Sequence, residues 1–122
     1  MLEPAQTVQI FENLPEQIVS AGEVIFEEGE PGDLMYGILE GEVDFIIKGK
    51  VIETLKKGDV FGEGSLVHPE RTRASTAVAK TDCKLATMDE RRFLFAIQQT
   101  PLFALLVMRS FSNRLRNLKR SL

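Results

Sequence analysis

The sequence predicts a mainly-β domain, a sandwich or jelly-roll barrel (a β-roll), with one short helix before it and two helices after it. Three observations carry this. Residues 17–89 consist of short apolar or alternating runs, each closed within a few residues by Gly, Pro, Asp or Lys-Gly turns. Beyond residue 90 apolar residues recur at helical spacing, broken once at Thr100-Pro101. A length of 122 residues suits one hydrophobic core, so 1–122 reads as a single domain. Many short strands in close succession favour closure of the sheets, because closure limits exposed edges.

Thr7 to Asn13 reads as a short helix, with Val8, Ile10, Phe11 and Leu14 offering apolar contacts and Pro15 opposing its continuation. From Gln17 the pattern turns to strands. Val24–Phe26 precedes a breaker-rich turn, Gly29-Glu30-Pro31-Gly32-Asp33. Leu34–Leu39 follows, then a turn at Gly41. Val43–Ile47 and Val51–Leu55 flank a hairpin tip at Lys48-Gly49-Lys50. Lys57-Gly58-Asp59 turns into Val60 and Phe61, and Ser75–Ala79 and Lys84–Met88 complete the strands. Tyr36, the phenylalanines and Cys83 read as core.

Residues 90–122 read as helices. Asp89-Glu90 places acids at a helix start, where the dipole favours them. Arg91–Gln99 is one helix, and Thr100-Pro101 breaks and restarts it as Leu102–Leu122. The first half of that long helix, at Leu102, Phe103, Leu105, Leu106 and Val107, suits burial against the barrel. The second half narrows to Ala104, Met108, Phe111, Leu115, Leu118 and Leu122, spaced 4, 3, 4, 3, 4. That is a heptad seam, which packs on its own barrel or pairs with a second chain. As a straight rod, Met108 to Leu122 projects about 21 Å. A parallel homodimer held by Met108, Phe111, Leu115, Leu118 and Leu122 is the expectation.

The net charge of −3 hides an asymmetry. Residues 1–90 carry 8 Lys or Arg against 18 Asp or Glu, a balance of −10; residues 91–122 carry 7 basic residues and no acid, +7. A basic C-terminal segment raises nucleic-acid contact as an alternative, but it has few aromatic residues and no second element to read a groove. A solvated helix face, partly neutralised by the acidic barrel, is the favoured reading. No apolar run reaches a membrane span, and the N-terminus lacks the basic and apolar regions of a signal peptide. The single cysteine forms no internal disulfide, which fits a reducing cytoplasm. The single histidine, His68, and Cys83 are too few and too far apart for a metal site. No pair of carboxylates accompanies a nucleophile, so the chain reads as a non-enzyme, without cofactor or metal.

The chemistry concentrates in residues 61–76, FGEGSLVHPERTRAST. Gly62 and Gly64 permit close backbone approach to a ligand. A short helix starting near Glu63 would present free N–H groups, a natural phosphate site. Arg73 adds a planar fork suited to phosphate oxygens; Arg71, two residues earlier, is the alternative. Glu63 would repel a bound anion unless it accepts a hydrogen bond from a hydroxyl on the same ligand. Phosphate plus hydroxyl points to a sugar phosphate or nucleotide. The stretch is neither a Walker loop, since no Lys-Ser or Lys-Thr follows Gly64, nor a dinucleotide fingerprint, since Val67 stands where a third glycine belongs.

This stretch resembles the phosphate-binding cassette of the cyclic-nucleotide-binding domain family, which includes catabolite activator proteins and regulatory subunits of cAMP-dependent kinase. The resemblance spans about Phe11 to Leu122 and includes Gly22–Val43 (GEVIFEEGEPGDLMYGILEGEV) and Lys57–Glu63 (KGDVFGE). It implies that Glu63, with Gly62, binds the ribose 2′-hydroxyl. It implies that Arg73 binds the cyclic phosphate, with backbone donors around Gly64, Ser65 and Ala74. The RAST ending matches the family's and favours Arg73 over Arg71. Thr72 stands where the kinase-type pattern has Pro, and Gly64 where it often has a bulky aliphatic residue; neither change removes a ligand group. Members that prefer cGMP often carry Thr after the arginine. Here that residue is Ala74, so cAMP is expected over cGMP, with Ser75 as a possible base contact.

The resemblance further implies a signal-transduction module, akin to the sensor part of bacterial transcriptional regulators, whose last helix closes over the ligand and forms the dimer seam. The chain ends at Leu122 without a helix-turn-helix, so DNA binding is not expected. Binding would act on an unknown downstream protein or on the dimer itself. The alternatives are a ligand-free interaction module of the same fold and a nucleic-acid-associated regulator using the basic helix.

Overall fold

The structure, a computed structural model, describes residues 3–11 and 15–122. Short helix α1, Pro4–Phe11, leads into β1 (Gln17–Val19) and β2 (Val24–Phe26), then β3 (Leu34–Glu40), β4 (Val43–Ile47), β5 (Lys50–Leu55) and β6 (Val60–Phe61). The four-residue helix α2 (Gly64–Val67) interrupts the strands before β7 (Thr76–Ala79) and β8 (Cys83–Asp89). Helices α3 (Glu90–Gln99) and α4 (Pro101–Arg120) close the chain. The expected first helix begins earlier than Thr7, because Pro4 fits the first turn, where no intrahelical N–H is needed. Its expected end at Asn13 and the contact from Leu14 lie outside the described residues.

The strands form two antiparallel four-stranded sheets, ordered β1-β8-β3-β6 and β2-β7-β4-β5, so the barrel is a β-roll. The β4–β5 tip is tighter than expected. Lys48 (φ 53°) and Gly49 (φ 75°) alone form the turn, and Lys50 already pairs with Ile47. Two consecutive positive φ angles match the twist of a hairpin.

Two apolar clusters flank the first sheet. Phe26, Tyr36, Phe45, Phe61 and Leu85 pack inside the roll; Val8, Met35, Val60, Met88, Phe93 and Phe103 lie among the second cluster, which includes α1, α3 and α4 residues. Strand β3 is therefore buried on both faces, which accounts for its nearly continuous apolar run. Cys83 is core, its thiol donating to the carbonyls of Glu42 and Thr81 (3.2 and 3.3 Å), and burial pushes its pKa up.

Asp89 caps α3, accepting from the Arg92 amide (2.8 Å), and Pro101 opens α4 after a 114° bend at Thr100. Three expectations for these two helices are corrected. Of the apolar first half of α4, only Phe103 and Val107 are buried, while Leu102 and Leu105 face outward. Phe95 and Phe111 are likewise exposed rather than core. The helix ends at Arg120, so Leu122 falls outside the helical seam. Among the described residues, no single helix is long and apolar enough to cross a membrane.

Candidate functional site

A cavity of about 420 Å³ opens between the roll, the 62–75 segment and α4. Gly62, Glu63, Gly64, Ser65, Arg73, Ala74 and Ser75 all line it, so the fold brings the predicted site residues together. Glu63, Ser65, Arg73 and Ser75 are buried, while Gly64 and Ala74 are exposed at its edge. Leu66 anchors α2 into the core, with only 4% exposure. The N–H groups of Gly64 and Ser65, in the first turn of α2, take no partner among the described residues. A second, open groove of about 580 Å³ runs between α4 and β5, and the Glu53–Arg114 pair forms part of its lining.

Arg73 is held from three sides. Its Nη1 donates to the Gly62 carbonyl (2.8 Å) and to Ser65 Oγ (2.9 Å), and Nη2 donates to the Leu34 carbonyl (2.8 Å). The Ser65 hydroxyl donates in turn to the Gly62 carbonyl (3.0 Å). The guanidinium lies over the Phe26 ring, 4.1 Å from its centre, an arrangement that favours a cation. Burial lowers its pKa, opposed by the nearby Tyr36, Asp33, Glu63 and Glu30. Two glycines make this possible. A Cβ on Gly32 would sit 2.4 Å from Arg73 Nε, and one on Gly62 would meet Nη1 at 2.9 Å. Gly62 also has φ +84°, which favours glycine. Arg71 points elsewhere: it pairs on the surface with Glu90 at 2.7 Å.

Glu63 is only 3% exposed, and its Oε2 has no hydrogen-bond partner. Burial raises its pKa, as does the neighbouring Glu53; its own backbone hydrogen bond, Arg114 and Arg73 work in the opposite direction. An ionised carboxylate there lacks its full complement of donors, so the site suits a group that can supply one.

Sequence reasoning missed four contributors. Gly32 was read only as part of a turn, yet it makes room for Arg73. Phe45 and Phe111 flank the far side, and Arg114 of α4 sits between them, 5.4 and 5.3 Å from the ring centres. The basic segment 91–122, Arg114 included, is expected to be a solvated helix face. Instead Arg114 bonds Glu53 on β5 through Nε and Nη2, and its Nη1 reaches to 3.8 Å from Glu63 Oε1. Its spacing of three from Phe111 is the signal that could have placed both on one face. His68 is exposed at the cavity rim, as expected of a loop residue.

The fold is thus a β-roll that holds a buried arginine and a buried carboxylate against one cavity. Residues 16–100, more than half of the chain, match the family profile described as the cyclic nucleotide-binding domain. The cAMP-dependent protein kinase regulatory subunit of Schizosaccharomyces pombe is 40% identical over 93 residues, covering 75% of this chain and 22% of that protein. The catabolite activator protein of Thermus thermophilus is 26% identical and superposes with a TM-score of 0.76, covering 98% of this chain and 57% of that one. The regulatory domain of Toxoplasma gondii PKA, solved with cAMP, is 27% identical with a TM-score of 0.60, covering 66% of this chain and 32% of that one. The chain belongs to the cyclic nucleotide-binding domain family. It spans less than a quarter of the length of the S. pombe kinase subunit.

Proposed function

We propose that this chain binds a cyclic nucleotide, cAMP in preference to cGMP, and acts as a non-catalytic sensor. The carrying observation is the pairing of buried Arg73 with buried Glu63 on one cavity. Arg73 would take the cyclic phosphate, helped by the free N–H groups of Gly64 and Ser65 and the backbone at Ala74. Glu63, placed by the left-handed turn at Gly62, would accept the ribose hydroxyl. The choice of cAMP rests on the kinase regulatory subunits among the relatives and on Ala74, which has no hydroxyl for a guanine amino group. Ser75 is the remaining candidate for a base contact.

The event would leave the domain through α4. Met108 and Leu115 are exposed, with Phe111 between them at the cavity mouth. This supports a homodimer seam, or docking of α4 to a downstream protein. Isothermal titration with cAMP and cGMP tests the binding. Saturable binding with cAMP tighter is the expected result. No heat from either nucleotide would leave a ligand-free interaction module, and equal or tighter cGMP would overturn the base preference.

A further inference from the structure

We propose that the groove between α4 and β5 binds one extended peptide segment of a partner protein. The segment adds as a strand to β5, and the amides of Asn113 and Asn117 hold its other edge. β5 lies at the edge of its sheet, so only β4 pairs with it. Among the described residues no backbone hydrogen bond outside that ladder reaches residues 50–55. A row of N–H and C=O groups therefore faces outward, the template on which another strand can pair. Residues 52–56 line the groove consecutively. Side chains of a strand alternate between its faces, so an unbroken run means that the strand's edge forms the wall.

The facing wall is α4, where Arg109, Asn113 and Asn117 line the groove at a spacing of four. One such step rises about 6 Å, and two residues of extended chain advance about 6.6 Å. The row thus meets the outer edge of an extended peptide at every second residue. A carboxamide suits that edge because it carries both donors and an acceptor, as the edge of a peptide does. Asn113 makes no hydrogen bond among the described residues, and Asn117 accepts only a long one from Arg120 (3.5 Å). Ser110, on the same wall, has its hydroxyl oxygen buried without a partner.

Width and charge fix the occupant. The Glu53–Arg114 pair ties the two walls together. They stand too close for a helix, about 10–12 Å across, but suit one strand, which sits about 4.8 Å from its neighbour. Arg109 and Lys56 line the groove and make no ion pair among the described residues, and α4 has no acid of its own. An acidic side chain on the segment would meet these cations. Glu3 and Asp59 line the groove as well, which favours one or two acids over an acidic run. Half-buried Leu106 and Leu118 supply apolar surface for the alternate side chains. The groove therefore fits a segment that alternates apolar with acidic residues, on a face apart from exposed Met108 and Leu115.

The test selects phage-displayed random eight-residue peptides on the whole chain, then measures their affinity for wild type and for Asn113→Ala with Asn117→Ala, checked for folding by thermal melt. Enriched peptides are expected to alternate apolar with acidic residues and to slow amide exchange in residues 50–55. They should bind the double variant about tenfold more weakly, the scale of one or two hydrogen bonds. N-methylation of alternate peptide residues should weaken binding in either register, because one set of N–H groups faces β5 and the other faces the asparagines. Arg109→Glu should favour peptides with Lys in place of the acid. Peptides that bind the double variant as tightly as wild type, or leave residues 50–55 unprotected, overturn the proposal, as does a selection that enriches nothing. If the double variant does not fold, unchanged affinity in either N-methylated series does the same. Wild-type protein that self-associates, with residues 50–55 protected before any peptide is added, assigns the groove to a second copy and overturns the partner segment.

Discussion

The two ends of the cavity are built in different ways. At one end, Arg73 is buried, stacked on Phe26 and bonded to Gly62, Ser65 and Leu34, all parts of the roll or its cassette. At the other, Phe111 and Arg114 arrive on a helix that is largely exposed and tied to the roll at this point by the Glu53 pair. The first end is pre-organised, and binding there costs little reordering. The second depends on where α4 lies. A ligand that touches both ends can therefore bias the helix while drawing most of its affinity from the cassette.

Removing Arg73 should have the largest effect. Arg73→Ala would leave a buried phosphate without its charge partner, at a cost of about 2–5 kcal/mol. That corresponds to weakening by about 30-fold to several thousand-fold. Arg71→Ala should change cAMP affinity little, since Arg71 pairs with Glu90 outside the cavity. Equal losses in the two titrations would refute the assignment of the phosphate ligand.

Next in size is a steric change at the same end. In Gly32→Ala the new methyl would meet Arg73 Nε at 2.4 Å and Ser65 Oγ at 2.7 Å. Overpacking of this kind costs about 1–3 kcal/mol, and it should lower both the melting temperature and cAMP affinity. Gly64→Ala is the control for the melting temperature, because no protein atom lies within 4 Å of its added Cβ. A Gly32→Ala protein that melts like Gly64→Ala and binds cAMP like wild type would show that Arg73 has slack.

The third prediction concerns Glu63, between the two ends. Its folded pKa is raised by burial, so the folded state holds a proton that the unfolded state has already lost. Stability should fall as pH rises from the ordinary value of 4.5 toward the raised pKa, by linkage. A ligand hydroxyl donating to Glu63 favours the ionised form. Affinity for cAMP should therefore rise across the same window, by at most about tenfold per pH unit. Both slopes should flatten in Glu63→Gln, as read from denaturant melts and titrations at several pH values.

The smallest effect on affinity is expected at the outer face of α4. Met108 and Leu115 are exposed, whereas Leu118 is half-buried in the groove against β5, so Met108→Glu with Leu115→Glu is the cleaner test of pairing. The double variant should sediment as a folded monomer with cAMP affinity within about threefold of wild type. The proposed pairing of wild-type chains should tighten with added salt, because arginines flank the seam and repel across it. A wild-type chain that is monomeric at both salt concentrations would leave α4 free to dock on another protein.

Much of this contrast was legible in the chain itself. Glycine-marked turns and short apolar runs located every strand from Val24 onward within a residue or two, because turns and alternation are local. The cassette residues could be named together because they lie within fifteen positions of one another. Gly32 and Arg114 were not legible as site residues. Gly32 lies near Arg73 only because the Pro31–Thr72 bridge draws two distant loops together. Arg114 reaches Glu53 across 61 positions of chain.

The sequence by itself determined the order of elements, the roll, the cassette, and which residues of α4 share a face. Periodicity carries the shared face of α4, since side chains at fixed spacing must lie together; closely spaced turns carry the roll, and the resemblance of residues 61–76 to a known family carries the cassette. Only the tertiary structure decided what each face meets. The 114° bend at Thr100 and the packing of Phe103 and Val107 set the position of α4, turning Arg114 inward and leaving Met108 and Leu115 outside. No local pattern contains that choice, because it follows from the shape of the surface against which the helix packs.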